Sequence, residues 1–110
     1  MPGTLRLDTT VEPSGAAVLH VRGEVDLATA DRLRERLLAE VHRHERLTVD
    51  VSGAMFFDAA GLRALAAAHR EAARLNNRPP ALRGVRPLLA KALRVTGMHS
   101  LFPREQVRPA

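Results

Sequence analysis

The 110-residue sequence contains no cysteine, tryptophan or tyrosine, and its only aromatic residues are three phenylalanines. Without cysteine the chain can form neither a disulfide framework nor a thiolate metal site. Its apolar runs are far too short for a transmembrane helix, and its first ten residues lack the apolar core of a secretory signal. These absences favour a cytoplasmic protein that works without a metal or other cofactor.

Length and composition indicate one small globular domain. Hydrophobic residues make up 45% of the chain and charged residues 26%, which is close to the averages for such domains. We expect one domain over residues 1–110, with a core over about 5–102 and a loose C-terminal tail over 103–110. Because aromatic residues are scarce, Leu, Val and Ala must fill that core by close packing.

Positive charge is concentrated in the C-terminal third of the chain. The net charge is +5, yet residues 1–71 hold nine Arg against eleven Asp and Glu. Residues 72–110 hold seven Arg and Lys91 against Glu105 alone, a charge of about +7. Such a surface attracts acidic proteins as readily as phosphate backbones. Because the chain has neither a dense Arg/Lys run nor an aromatic stacking platform, nucleic-acid binding is the weaker interpretation.

Hydrophobic periodicity predicts alternating strands and helices. A period of two predicts strands at Leu5–Thr10 and Ala16–Val21, joined through a Pro-Ser-Gly turn into an antiparallel hairpin. The following segments read, in order, as helix, strand, helix, strand and helix: 30–41, 47–51 continuing through Ser52-Gly53 to 57, 61–75, 81–85 and 87–96. Residues 98–102 form a last short strand or a packed tail. This order predicts an α/β fold with a small mixed sheet, an N-terminal hairpin and about three helices, joined by right-handed parallel crossovers.

Three segments in this order resemble the STAS-domain anti-sigma-factor antagonists. They are RGEVDLATADRLRERL at 22–37, DVSGAMFFDAAGLRAL at 50–65 and TGMHSLF at 96–102. The resemblance implies a STAS-like fold and a protein-binding module without enzymatic activity. It further implies docking onto a GHKL-type kinase that serves as an anti-sigma factor, with release of a sigma factor.

The resemblance also implies a phosphorylation switch that this chain lacks. Family members read Asp-Ser-x-Gly where this sequence has Asp58, Ala59, Ala60 and Gly61, and the partner kinase phosphorylates that serine to end binding. Ala59 has no hydroxyl to accept a phosphoryl group. The protein is then a permanently active antagonist, is regulated in another way, or has lost this role. Ser52 is a weak alternative phosphosite, because its position reads better as a turn residue.

The resemblance places the partner-binding surface on the strand-to-helix loop, the start of the second helix and two acidic residues before the first helix. The expected contact residues are Glu24, Asp26, Phe57, Asp58, Ala59, Ala60, Gly61 and Leu62.

Local roles compete with partner binding at several of these positions. Asp58 is well placed to cap the second helix. Helix capping and solvation explain Glu24 and Asp26 better than an acid–base pair does. Gly61 is costly in a helix, so a partner or a neighbouring strand must approach it closely, and the resemblance favours the partner.

The apolar run Met55-Phe56-Phe57 has two interpretations of equal weight. If it is a strand, one of the two phenylalanines must point away from the core. Either helices cover both faces of the sheet there, or the run exposes an apolar hot spot suited to a partner.

The histidines and motifs give no support to metal binding or catalysis. His42 and His44 are two residues apart on a helix and so do not face each other, and Glu40 beside them is expected on the solvated side. His69 is expected at the edge of the core, bonded to the backbone. No P-loop, Rossmann glycine pattern or G-x-S-x-G elbow occurs.

Two other functions remain open. The chain could be a STAS accessory subunit of a lipid-transport ABC system or a scaffold in stress signalling, reaching a membrane only through a partner complex. A nucleic-acid-binding domain is the third interpretation. A homodimer is compatible with all three.

Overall fold

The chain alternates strands and helices in the predicted order, and the computed structural model describes residues 4–105. The strands are β1 (Leu5–Val11), β2 (Ala17–Val25), β3 (Leu47–Phe57), β4 (Ala81–Arg83) and β5 (Arg104–Glu105). The helices are α1 (Ala30–Arg43), α2 (Ala59–Arg74) and α3 (Pro87–Val95), followed by a short 3-10 turn at Met98–Ser100.

The five strands form one mixed sheet in sequence order. β1 pairs with β2 in antiparallel register, and every other neighbouring pair is parallel. Parallel neighbours need a crossover connection, which α1, α2 and α3 supply. The predicted α/β fold, with its N-terminal hairpin, mixed sheet and three helices, is confirmed.

The last strand lies in the segment that the sequence assigned to a loose tail. The amide of Leu82 donates to the carbonyl of Pro103 at 2.8 Å, and Arg104 and Glu105 pair with β4. The prediction was therefore wrong for residues 103–105, because pairing with β4 orders a segment that has no apolar periodicity of its own. Residues 106–110 lie outside the described part of the chain.

β2 runs past its predicted end at Val21, whereas β3 extends to residue 57 as the sequence predicted. β2 continues through Gly23 to Val25, and β3 continues through Gly53 to Phe57. Arg22 pairs with Gly53 in the ladder between them. The ladder thus overrides the local preference of glycine for turns, and Ser52 lies inside a strand rather than in a turn.

β3 has more residues than β2, with which it pairs. It has eleven residues and β2 has nine, and the register between them shifts twice. At the second shift Gly23 pairs with Ala54 and Glu24 pairs with Phe56, which leaves Met55 without a partner in β2. An extra residue of this kind is a β-bulge, which interrupts the alternation of side chains between the two faces.

One apolar core joins the sheet to all three helices. Its members are Leu, Val and Ala with one buried aromatic residue, Phe102. The strands contribute Leu19, Val21, Val49, Val51 and Leu82, and the helices contribute Leu33, Leu37, Leu65, Leu89 and Leu93, among others. The composition predicted this dominance of aliphatic side chains in the core.

Glu40 was expected on the solvated side of α1, but it is buried with 1% of its surface exposed. Its carboxylate accepts a hydrogen bond from the hydroxyl of Thr9 on β1. The Nε atom of Arg36 lies 3.4 Å from the same carboxylate. Because β1 supplies a hydroxyl and Arg36 a charge, the burial of this carboxylate is compensated. The expectation was wrong because helical spacing alone cannot reveal such cross-element partners.

The sheet face opposite the core carries a transverse row of polar side chains. Asp8, His20, Asp50, Arg83 and Glu105 pair in turn across the five strands. His20 Nδ1 lies 3.8 Å from the Asp50 carboxylate, and Arg83 forms an ion pair with Glu105. Cross-strand pairs of opposite charge stabilise a sheet modestly.

Candidate functional site

Asp58 caps α2 at the point where β3 ends. Its Oδ1 atom accepts hydrogen bonds from the amides of Ala60 at 2.9 Å and Gly61 at 3.4 Å. Its own amide donates to the carbonyl of Val25 at 3.1 Å. The predicted capping role is confirmed, and the cap fixes the start of α2 against the end of β2.

The junction between β3 and α2 reaches the surface mainly through Ala59. This residue is exposed at the first position of α2, whereas Ala60 and Leu62 each expose only 8% of their surface. Phe57 and Asp58 are half-buried. Residue 59 is therefore accessible to another protein, although the residues that follow it largely face the core.

Close packing inside the chain explains Gly61. A methyl group at this position would lie 2.6 Å from Cε1 of Phe57 and 2.7 Å from Cγ1 of Val25. Real side chains do not approach so closely, so α2 can lie this near β2 and β3 only with glycine here. The neighbouring strands thus account for this glycine without a partner, whereas the resemblance favoured the partner.

The two acidic residues before α1 have different roles. The Asp26 Oδ1 atom accepts hydrogen bonds from the amides of Ala28 and Thr29, each at 3.0 Å. The Thr29 hydroxyl donates to the carbonyl of Glu24 at 2.8 Å. Asp26 thus closes the turn that leads into α1, as predicted. The Glu24 carboxylate makes no ion pair or hydrogen bond within residues 4–105, so the fold leaves it available to a partner.

A basic groove between α1 and α2 adjoins this junction. Its volume is about 330 Å³, and Ala60, Ala64 and Ala67 form part of its lining. Arg34, Arg63 and Arg70 also line it, together with the strongly exposed Leu27. The sequence gave no signal for this groove, since it depends on how two helices that are distant in the chain pack together.

An apolar surface follows from the bulge in β3. Phe57 packs against the core, whereas Met55 and Phe56 expose 71% and 51% of their surface. Helices therefore do not cover both faces of the sheet here, and the apolar run is exposed as the second interpretation requires. Leu88, exposed by 84% at the start of α3, lies on the same groove, which has a volume of about 380 Å³. Leu88 was not among the predicted contact residues, because only the fold brings it next to β3.

Ser52 lies inside β3, six residues before the junction. Its hydroxyl donates to the Asp50 carboxylate at 2.6 Å, and its amide donates to the same oxygen at 2.9 Å. The hydroxyl is exposed but engaged within its own strand. It belongs to the polar face of the sheet rather than to the start of α2.

The histidines contact separate partners. His42 Nε2 lies 2.6 Å from a carboxylate oxygen of Glu71 on α2, whereas His44 Nε2 lies 3.9 Å from Glu40 on its own helix. The His69 ring meets the ring of Phe102 edge-on at 5.7 Å. The position of His69 at the edge of the core is confirmed. The expected backbone bond was wrong, because over residues 4–105 its neighbour is an aromatic ring.

Neither a cluster of metal-binding side chains nor a membrane-spanning helix occurs within residues 4–105. No group of three or more His, Asp or Glu side chains is arranged to hold a metal ion. None of the helices in this range combines the length and the apolar character needed to cross a bilayer.

Comparison with known proteins identifies a family with this architecture. Residues 9–103 match the family model described as "Mlab, STAS domain". No curated protein sequence matches the chain.

Solved structures share the fold over nearly the whole chain. An anti-sigma factor antagonist from Mycobacterium paratuberculosis is 25% identical, with a TM-score of 0.75 over 93% of this chain and 84% of that one. A STAS-domain antagonist from Planctomyces limnophilus is 19% identical, with a TM-score of 0.78 over 93% and 91%. The phosphorylated form of SpoIIAA, a cell fate determinant of Bacillus, is 14% identical, with a TM-score of 0.72 over 94% and 92%. The match to the family model covers most of the chain and agrees with the sheet order and the three motifs, so the protein belongs to the STAS domain family.

Proposed function

We propose that this protein is a non-enzymatic anti-sigma-factor antagonist that docks onto a kinase-type anti-sigma factor and cannot be switched off at residue 59. The observation that carries the proposal is the exposed methyl group of Ala59 at the capped start of α2. The 25% identity with an anti-sigma factor antagonist along nearly the whole chain supports it.

The electrostatics at the N-terminus of α2 explain how a phosphate at residue 59 would act as a switch and why the protein lacks this switch. The first turn of α2 presents backbone N–H groups and a partial positive charge. A phosphate at residue 59 would be tolerated there, yet its charge of about −1.5 to −2 would repel or desolvate a packed partner. SpoIIAA has been solved in phosphorylated and unphosphorylated forms. With alanine at position 59, this protein keeps the equivalent of the unphosphorylated surface.

The surroundings of Ala59 fit a docking surface. The small Ala59 side chain allows another backbone to approach. The Glu24 carboxylate, which has no ion-pair or hydrogen-bond partner within residues 4–105, supplies a polar contact nearby on β2. Arg63, on the first turns of α2, is exposed and adds positive charge. Binding requires only surface complementarity at these residues, and no step of it requires catalysis.

The proposal is tested with the kinase that co-purifies with the tagged protein from its native cells. We expect Ala59→Glu to weaken binding to that kinase at least tenfold, because the added carboxylate meets a packed interface. The matched control is Ala73→Glu, at an exposed alanine near the other end of α2. Isothermal titration calorimetry measures both affinities, and equal loss in the two variants would contradict docking at Ala59.

A gain-of-function variant tests the mechanism directly. We expect Ala59→Ser to become phosphorylated by the same kinase with ATP, while the natural protein and Ser52 stay unmodified by mass spectrometry. If Ala59→Ser binds the kinase normally and remains unmodified, the proposed relation to the phosphorylation switch is wrong.

A second candidate is an accessory subunit of a lipid-transport ABC system. The matching family model carries the description "Mlab, STAS domain", which names no sigma-factor role. The same docking surface would then meet a transport ATPase. Identification of the co-purifying protein as an ATPase with a permease, rather than as a kinase, decides for this candidate.

A further inference from the structure

A second surface, which shares only Phe57 with the expected contact residues at the start of α2, lies between the end of β3 and the start of α3. We call it the β3–α3 groove, and its apolar lining is Val51, Ala54, Met55, Phe56, Phe57, Pro87, Leu88 and Leu89. Three of these side chains, Met55, Phe56 and Leu88, are half or more exposed. A cluster of large exposed apolar groups around one concave site is typical of a binding surface rather than of ordinary protein surface.

The fold holds this groove open. The bulge at Met55 turns both Met55 and Phe56 away from the core. Pro87 begins α3 and fixes its first turn beside β3, with Leu89 buried and Leu88 pointing outward. The groove of about 380 Å³ between these elements can receive one large side chain.

Charge at the rim of the groove selects the occupant. The Arg86 guanidinium lies 3.3 Å from the Met55 sulfur, at the edge of the groove. Arg86 and Lys91 make no ion pair within residues 4–105, and the sequence contains no Asp or Glu between residues 72 and 104. Lys91 follows Leu88 by three residues and so lies on the same face of α3. The α3 side of the rim therefore carries only positive charge and complements carboxylates. Across β3, Glu24 on β2 pairs with Phe56 and adds one negative charge.

We propose that the β3–α3 groove binds an acidic peptide segment of a partner protein. One bulky apolar side chain of that segment fills the space between Phe56 and Leu88, and its neighbouring carboxylates meet Arg86 and Lys91. An aromatic or large aliphatic anchor flanked by charge-complementary residues is the usual composition of a binding hot spot. The groove is distinct from Ala59, so each surface can be disrupted without the other.

Selection of displayed peptides for binding to the 110-residue protein tests the proposal. Random 16-residue peptides are selected on the natural protein and counter-selected on the double variant Phe56→Ser, Leu88→Ser, whose folding is checked by circular dichroism. We expect the enriched peptides to carry net negative charge and a Leu, Phe or Trp anchor. A synthetic peptide of the enriched sequence should bind the double variant at least tenfold more weakly.

Matched variants separate the groove from the rest of the surface. Arg86→Gln should weaken the same peptide about threefold to tenfold and reduce the salt dependence of binding. Val11→Ser and Arg32→Gln remove an exposed apolar group and an exposed charge elsewhere, and each should leave the affinity unchanged. The Ala59→Glu variant should also bind the peptide normally, so failure here is distinguishable from failure of the proposed docking at α2.

Four outcomes would overturn the proposal. The first is failure to enrich any peptide that depends on Phe56 and Leu88, and the second is enrichment of basic or neutral peptides. The third is binding of phosphatidylglycerol vesicles by the natural protein but not by the double variant, which would make the groove a lipid surface. The fourth is a dimer in analytical ultracentrifugation that the double variant abolishes, which would make the occupant a second copy of this chain.

Discussion

Single residues decide how closely α2 can approach the sheet. The absence of a side chain at Gly61 lets Phe57 and Val25 occupy the space next to the helix axis. Glycine within a helix costs about 1 kcal/mol relative to alanine. The contact with these two side chains must therefore contribute more than the helix loses through glycine.

We predict that Gly61→Ala destabilises the protein. Alanine would regain about 1 kcal/mol of helix propensity, but overpacking against Phe57 and Val25 costs about 1–3 kcal/mol. The free energy of unfolding in urea, compared with that of the natural protein, measures the net effect. In a Val25→Ala, Phe57→Ala background both close contacts are absent, so the same change should there be neutral or stabilising. Stabilisation by Gly61→Ala alone would show that α2 is not held against these side chains.

Sequence reasoning succeeded for residues whose role is local and failed for residues whose role is set across elements. Asp58 could be assigned as a cap because the cap and its amides lie within three positions. Glu40 could not be placed correctly, since the hydroxyl that satisfies it belongs to Thr9, on a strand 31 positions earlier. Gly61 had an ambiguous signal for the same reason, because its neighbours come from two strands.

At the scale of elements, the start of α2 combines a structural and a recognition role in adjacent residues. Asp58 accepts hydrogen bonds from two amides of the first turn, and Ala59 next to it faces outward. The cap does not require a negative charge, because an asparagine oxygen can accept the same bonds.

We predict that Asp58→Ala lowers the free energy of unfolding by about 0.5–2 kcal/mol, whereas Asp58→Asn changes it little. Thermal and urea unfolding of the two variants measure the difference. Binding of the co-purified kinase to Asp58→Asn then reports on the charge alone, free of any loss of the cap. Equal destabilisation by both substitutions would contradict the capping role.

Elements with regular periods could be located from the sequence, whereas their ends and the bulges could not. α1 and α3 each start within one residue of the position that the sequence predicted. Leu33, Leu37, Leu89 and Leu93 are buried, as the helical period indicates. The extra residue at Met55 has no sequence signature, because it is defined only by pairing with β2. The sequence therefore left the exposure of the apolar run undecided, and it gave no indication of the groove beside α3.

At the scale of the whole molecule, ion pairs join elements that are distant in the chain. Two hydrogen bonds of 2.7 Å from Arg74 hold the pKa of Glu71 at about 2, with His42 on α1 contributing as well. The Thr48 hydroxyl and the Arg83 guanidinium lower the pKa of Glu105, which ties β5 to β3 and β4.

We predict that Glu71 contributes stability at neutral pH that is lost in acid. Its pKa is lower in the folded chain than the ordinary value of 4.5. The contribution is therefore fully present above about pH 4.5 and disappears as the pH falls toward 2. Unfolding in urea between pH 7 and pH 3 should show the natural protein and Glu71→Gln converging as the pH falls. The exposed Glu35→Gln serves as control, and a gap between natural protein and Glu71→Gln that stays constant with pH would refute the linkage.

The mismatch in length between β2 and β3 has a consequence for how this protein can change over generations. Point substitutions at residues 55 and 56 change the side chains that are exposed beside α3. They do not change the direction in which these two positions point, because the extra residue in β3 sets that direction. Deletion of Met55 would instead remove the bulge and restore the alternation of side chains, so that between Ala54 and Phe57 only Phe56 would still point away from the core. The identity of the bound segment can thus drift one residue at a time, whereas a deletion at the bulge would leave the end of β3 with a single outward apolar side chain.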